Sequence, residues 1–209
     1  MSTCILVLGT PRSGTSCVAG VLHHLGVPMG ERFPEPDEWN PAGYYQDEDF
    51  EDLIDLYDPV WKRPNRGTCV VPEDEVLSRI AKLIDVRNAQ HEVWGLKSNR
   101  MAHFMPMLAA QTDLKVIRTS RTKAVSVASW RARSGNTIAE SNRINTYIAD
   151  IIGAAFAELK IEPALTVNFD ALMSNPVAGV AEIAAVLGVE VTKPAVDWVQ
   201  PNLVRFQNG

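Results

Sequence analysis

The sequence predicts an α/β protein built as three layers, αβα, around a central parallel sheet. Three observations predict it. Apolar runs of strand length alternate with segments of helical periodicity. The first run, Cys4–Leu8 (CILVL), is apolar throughout, as a strand covered on both faces requires. That run passes through Gly9 into a turn rich in hydrogen-bond donors that opens a helix, and parallel α/β sheets collect ligands at such strand ends. The 209 residues fit one domain, 1–209, with 27–66 as a loop or lid excursion.

The first helix spans about Thr15 to Leu25, with Val18, Val21, Leu22 and Leu25 on one face and Gly26 as its stop. From Val27 to Arg66 the composition changes: six prolines and many carboxylates accompany Phe33, Trp39, Tyr44, Tyr45, Phe50, Tyr57 and Trp61. Long loops in compact domains are either functional or disordered, and disorder rarely carries so many aromatics, so this stretch reads as a binding wall. Within it Phe50, Leu53, Ile54 and Tyr57 have helical spacing. A helix follows from about Glu73 to Gln90, then a strand at Val93–Lys97 and a helix from about Met101 to Ala110, which Pro106 shortens or kinks. Leu114–Thr119 forms the third strand and leads into a helix reaching about Arg133. Thr137 and Glu140 have capping-box spacing before a long helix with Ile144, Ile148, Ile151, Ile152 and Phe156 inward. Ala164–Phe169 is the fourth strand. Asn175 and Pro176 then open a last helix that ends at Gly188.

Composition narrows the function. The chain is 46% hydrophobic and 22% charged, without an apolar run long enough to cross a membrane and without a signal-peptide pattern at Met1–Thr3. Cys4, Cys17 and Cys69 are odd in number and lack metal-ligand spacing, which predicts reduced thiols in a cytoplasmic protein and no metal site. A net charge of −5 argues against a general nucleic-acid binder, so an anionic ligand has to be held by local cations and backbone donors.

Residues 9–16 read GTPRSGTS. The amides around Arg12–Ser16, the helix dipole and the hydroxyls of Ser13, Thr15 and Ser16 supply a phosphate cradle, with Gly9 and Gly14 permitting the tight turn. The P-loop pattern G-x-x-x-x-G-K-[ST] carries a lysine where this chain has Thr15, and a cation, Arg12, sits inside the loop instead. The third strand also ends without an aspartate to hold magnesium. Metal-free transfer from a nucleotide whose 5′-phosphate lies in the loop suits these residues better than triphosphate hydrolysis.

Pro11-Arg-Ser-Gly-Thr-Ser16 resembles the 5′-phosphosulfate loop of the sulfotransferases, whose donor is 3′-phosphoadenosine 5′-phosphosulfate (PAPS) and whose product is adenosine 3′,5′-bisphosphate. The family's second signature, roughly R-[ND]-P-x-D-x-x-x-S at a strand end, binds the 3′-phosphate through its arginine and serine. Arg118 to Ser126 (RTSRTKAVS) keeps the arginine and serine eight apart, with Thr119, Ser120 and Thr122 replacing the intervening letters. Arg121 and Lys123 lie alongside as further cations. Asn40–Asp47 (NPAGYYQD) is similar to an N-P-x-G-[YFW]-x-E-D segment of bacterial members, and Trp94–Arg100 (WGLKSNR) to their K-D-P-R strand end. The segment from Asn168-Phe-Asp-Ala-Leu to Leu187-Gly188 resembles the family's closing strand and helix.

The resemblance implies a P-loop-like fold and sulfonate transfer from PAPS to a hydroxyl or amine of a small-molecule or carbohydrate acceptor. Donor binding falls to Arg12, Ser13, Gly14, Thr15, Ser16, Arg118 and Ser126. Arg12 and Lys97 are expected to stabilise charge on the leaving phosphate and the sulfonate. Gln46 stands where the family often has a glutamate and cannot act as a base. Asp47 is the expected general base, with Glu48, Glu31 and Asp37 as competitors, while His23, His24 and His103 read as structural or surface groups. Two alternatives remain open from the sequence: a P-loop kinase of unusual type, and a nucleotide-binding protein that has lost catalysis.

Overall fold

A computed structural model describes residues 1–57 and 71–203. Four strands form one parallel sheet in the order β2–β1–β3–β4: β1 Thr3–Leu8, β2 Val93–Lys97, β3 Asp113–Ser120 and β4 Leu165–Asn168. All four fall where the sequence places them. Their carboxyl ends align, with Val7 opposite Lys97, Leu8 opposite Arg118, and Ser120 opposite Asn168.

Strand alternation assigns the two cores. From β1, Cys4, Leu6 and Leu8 point to one face and Ile5 and Val7 to the other. The first face packs against α2 (Glu48–Tyr57), α3 (Glu73–Gln90), α4 (Met105–Gln111) and α6 (Ile138–Leu159) through Phe50, Ile54, Ile80, Ile84, Leu108, Ile148 and Ile152. The second packs against α1 (Thr15–His24), α8 (Pro176–Leu187) and α9 (Lys193–Trp198) through Val18, Leu22, Val180, Ile183 and Ala195. The result is the three-layer αβα architecture expected from the sequence. No helix among the described residues is long and apolar enough to cross a membrane.

Helix ends follow their local chemistry. Thr137 and Glu140 form the capping box of α6. Asn175 caps α8 by accepting from the Ala178 amide, and Gly188 ends it in the left-handed region, where a Cβ is unfavourable. The helix expected near Met101–Ala110 is instead a 3₁₀ turn, Asn99–Phe104, running into α4, because Pro106 belongs in a first helical turn and not in an interior. Two short helices were not expected: α7 (Phe169–Ser174), capped by Asn168, and α9, capped by Thr192. Between Lys123 and Ser134 lies α5.

The described part of the excursion, residues 27–57, reaches the carboxyl end of β2, where Gln46 meets Lys97. Its start is fixed where the Gly95 amide donates to the Pro28 carbonyl at 2.7 Å. It contains α2, whose Phe50 ring lies 6.1 Å from that of Trp94. Residues 58–66 of the excursion, with Trp61, and Cys69 lie outside the described residues. Of the other cysteines Cys4 is buried and Cys17 half-buried, both as free thiols, and burial pushes the Cys17 thiol up to about 12.

Candidate functional site

The β1–α1 turn is built around its own side chains. Ser13 is fully buried; its hydroxyl donates to the Thr10 carbonyl at 2.7 Å and meets the Thr119 hydroxyl at 2.6 Å. This staples the loop to the neighbouring strand, and Ser13 does not line the cleft. A Cβ on Gly9 would collide with both hydroxyls, so glycine there permits the close approach. Gly14 holds a φ of +94°, and a Cβ on it would fall inside the Phe169 ring. Gly14→Ala is therefore expected to cost about 2 kcal/mol or more in chemical denaturation, combining left-handed strain with overpacking.

Beyond Gly14 the amides of Thr15, Ser16 and Cys17 precede the first hydrogen bonds of α1, which begin with Val18 N to Gly14 O at 3.1 Å. They are available donors at the positive end of the helix dipole. Arg12 occupies the left-handed region with a φ of 67°, a conformation that a long side chain adopts only when its surroundings enforce it. The enforcing contact is Arg12 Nε donating to Ser129 Oγ of α5 at 3.0 Å.

Around this turn opens a cleft of about 660 Å³ over the carboxyl ends of the strands. Arg12, Gly14, Thr15, Ser16 and Lys97 all line it. Lys97, the last residue of β2, is 5% exposed; its Nζ lies 2.7 Å from Gln46 Oε1 and 3.5 Å from Ser16 Oγ. Burial pulls its ammonium down to about 8, opposed by the nearby Glu51 carboxylate and reinforced by Arg133 and Arg12. The cation missing from the loop thus arrives from the adjacent strand.

Two expected donor-site residues lie elsewhere. Arg118 is exposed and sits within β3, two residues before its end. Ser126 is 0% exposed, and its hydroxyl has no hydrogen-bond partner inside the protein. Neither lines the cleft. Arg121 and Ser129, each three residues further on and again eight apart, do line it. Arg121 follows the strand end directly; its Nε donates to Asp170 at 3.1 Å and its guanidinium lies 4.7 Å from the Phe169 ring centre. Ser129 is 2% exposed and holds Arg12. The sequence offered the same spacing twice, and only the true end of β3 separates the two pairs.

Asp47 also stands apart from the cleft lining. It is 1% exposed, bonds Arg87 at 2.8 Å through one oxygen and accepts the Asp49 amide at 3.1 Å through the other. Burial pushes its carboxyl up while Arg87 pulls it down. It starts α2 and ties it to α3, and it does not line the cleft, so it is not placed to take a proton from an acceptor. Asp47→Ala is expected to lower stability by about 2 kcal/mol in urea denaturation, because it removes the buried partner of the Arg87 guanidinium and leaves it the more exposed Asp49. Turnover per folded molecule at saturating donor should stay within a few-fold of the parent. Among the competitors, Asp37 and Glu48 line the cleft and Glu31 does not. His103 pairs with the Tyr147 hydroxyl at 2.9 Å, away from the cleft.

The carboxylate that sequence reasoning passed over is Glu51 of α2. It is 4% exposed and lines the cleft; Oε2 accepts from Arg100, which also donates to Asp55 at 2.7 Å, while Oε1 has no hydrogen-bond partner. Its signal was the Glu51/Asp55 ridge, four residues apart beside the inward Phe50 and Ile54, where a buried cation had to be supplied. On the α1 side, Phe169, Met173 and Trp198 give the cleft an apolar wall, with Trp198 Nε1 donating to the Cys17 carbonyl at 3.0 Å. The far wall carries Trp39, Tyr44, Trp130 and Arg133.

No family model and no curated protein matches the chain. Solved structures do. Sulfotransferase STF1 from Mycobacterium tuberculosis H37Rv superposes with a TM-score of 0.54 at 18% identity, over 99% of this chain and 72% of that one. Sulfotransferase STF9 from Mycobacterium avium gives 0.50 at 15% identity, over 95% and 67%. A shikimate kinase from Bacteroides thetaiotaomicron gives 0.48 at 15% identity, over 90% and 99%. The chain has the fold of the two mycobacterial structures, a P-loop-like three-layer αβα sheet.

Proposed function

We propose that the chain is a sulfotransferase that moves a sulfonate group from PAPS to a hydroxyl, or an amine, of a small-molecule or carbohydrate acceptor. The observation that carries this reading is a linked pair of clusters of cations and hydrogen-bond donors in one cleft. The first is the turn of Arg12, Gly14, Thr15 and Ser16. The second is Arg121 with Ser129, joined to the first through the Arg12–Ser129 hydrogen bond. A nucleotide with phosphate at both 5′ and 3′ positions matches such a pair, and one with a single phosphate leaves half of it unused. The lysine-free turn and a lysine brought from β2 fit the same donor.

PAPS supplies the sulfonate and a phosphate leaving group. The amides of Thr15–Cys17 and the Arg12 guanidinium stabilise negative charge growing on that phosphate. Lys97, between Gln46 and Ser16, reaches the position between the loop and the acceptor wall, where sulfonate oxygens would lie. Phe169, Met173 and Trp198 offer a flat apolar surface suited to the adenine. Trp39, Tyr44 and Trp130 wall the side left for the acceptor.

Calorimetry tests the reading. Adenosine 3′,5′-bisphosphate is expected to bind without magnesium and at least tenfold more tightly than adenosine 5′-monophosphate. Absence of binding, or equal affinity for the two nucleotides, would sink the proposal. Release of the bisphosphate from PAPS in the presence of an acceptor panel then tests transfer itself; affinity without release would leave a nucleotide-binding protein.

A further inference from the structure

We propose that Gln46 is a positioning residue for Lys97: its neutral amide oxygen aims the buried ammonium at the loop and leaves that positive charge uncancelled for an anionic group. This rests on the sulfotransferase reading of the cleft.

The geometry is specific. Gln46 Oε1 accepts from Lys97 Nζ at 2.7 Å, and the same nitrogen lies 3.5 Å from Ser16 Oγ at the start of α1. Both residues line the cleft, and Lys97 is 5% exposed, so water contributes little to its orientation. The neighbours that act on the ammonium come from every surrounding element. The Tyr44 ring lies 5.8 Å away, Arg12 stands in the loop, Arg133 on α5, and Glu51 on α2. Among the described residues the carboxylate that acts on Lys97 is Glu51, and its Oε2 is committed to Arg100.

A lysine side chain has four rotatable bonds and a compact, strongly hydrated charge, so once buried it needs a fixed acceptor to hold one orientation. A carboxylate at position 46 would also hold it. It would cancel the charge in an ion pair and place a second anion where a sulfonate is to sit. An amide supplies the same acceptor oxygen without that repulsion. Its NH₂ end is a donor, which a carboxylate lacks. The residue that looked like a lost base in the sequence is then a hydrogen-bond acceptor serving the lysine.

Two substitutions and two readouts test this. Gln46→Met keeps the length and removes the acceptor; Gln46→Glu keeps the acceptor and adds charge. NMR titration of the Lys97 side chain reads the contact directly. Gln46→Glu is expected to move its midpoint upward by a unit or more, as an opposite charge at this distance does. Turnover of PAPS should fall roughly tenfold or more in both variants. Bisphosphate affinity of Gln46→Met should stay within about twofold, a split that general unfolding would not produce. Its alkaline limb should also differ in position from that of Gln46→Glu. An unmoved Lys97 midpoint in Gln46→Glu overturns the proposal, as does parent-level turnover in Gln46→Met. So does turnover above the parent in Gln46→Glu, since that result would make position 46 a place for a base. Failure of the parent to bind the bisphosphate sinks the sulfotransferase reading, whereas the Lys97 titration still decides the Gln46 contact.

Discussion

Arg121→Ala is expected to weaken adenosine 3′,5′-bisphosphate binding by roughly 30- to 150-fold, while Arg118→Ala leaves it within about twofold. The magnitude follows from losing a charge-assisted contact to a phosphate, about 2–3 kcal/mol. The contrast follows from placement. Arg121 stands at the end of β3 in the cleft wall, whereas Arg118 is exposed within the strand. Adenosine 5′-monophosphate should bind the parent and Arg121→Ala almost equally, because the contact being removed is to the 3′-phosphate. Calorimetry on the three proteins with the two nucleotides gives all six values. Equal losses for both nucleotides would mean that Arg121 acts on folding or on the 5′ position instead. Loss of affinity on removing Arg118 would restore the earlier register.

The second large effect concerns Lys97. Lys97→Met should lower kcat roughly 100-fold, the usual cost of one charge-stabilising contact at a developing anion, with a much smaller change in bisphosphate affinity. In the parent, kcat/KM should be level below pH 8 and fall above it, because burial holds the Lys97 midpoint at about 8 and only the ammonium form helps. Stability should run the other way. In the folded protein Lys97 loses its proton near 8, whereas in the unfolded chain it keeps it to about 10.5. Between those values the unfolded state binds more protons, so folding stability gains as pH rises through that window. Below pH 8 the cost of burying the charge is fully present, and Lys97→Met should relieve it and raise the melting temperature there. A variant that is less active and more stable at pH 7 is the expected signature. Reduced stability at pH 7 would contradict it.

How far the sequence reached depends on the kind of signal. The β1–turn–α1 unit was legible because a fully apolar run, two glycines and a change of period all coincide within twenty residues. Helix α3 and the capping box of α6 were legible because they are long and locally coded. The short helices α7 and α9 were not: six residues give hardly two turns of periodicity, and their caps, Asn168 and Thr192, resemble ordinary loop residues. Yet α9 carries Trp198, which lines the cleft. Which of Arg118 and Arg121 would face the cleft was not legible, because β3 extends to Ser120, and strand ends are set by pairing with β4, not by letters. The partner of Asp47 was not legible, because only the fold brings Arg87, forty positions away, to its carboxylate. The position of Lys97 at a strand end was legible, because the apolar run before it sets that end, and there it lines the cleft.

The Arg12–Ser129 hydrogen bond carries one more consequence. Because it ties the β1–α1 turn to α5, a shift of either one pulls on the other. Ligand contacts at the two should therefore be non-additive, with a double-mutant cycle between Arg12 and Arg121 returning a coupling energy on the order of 1 kcal/mol. The cleft would then measure the distance between two phosphates as well as their charge. Nucleotides with the right groups at the wrong separation would be discriminated against before any chemistry begins.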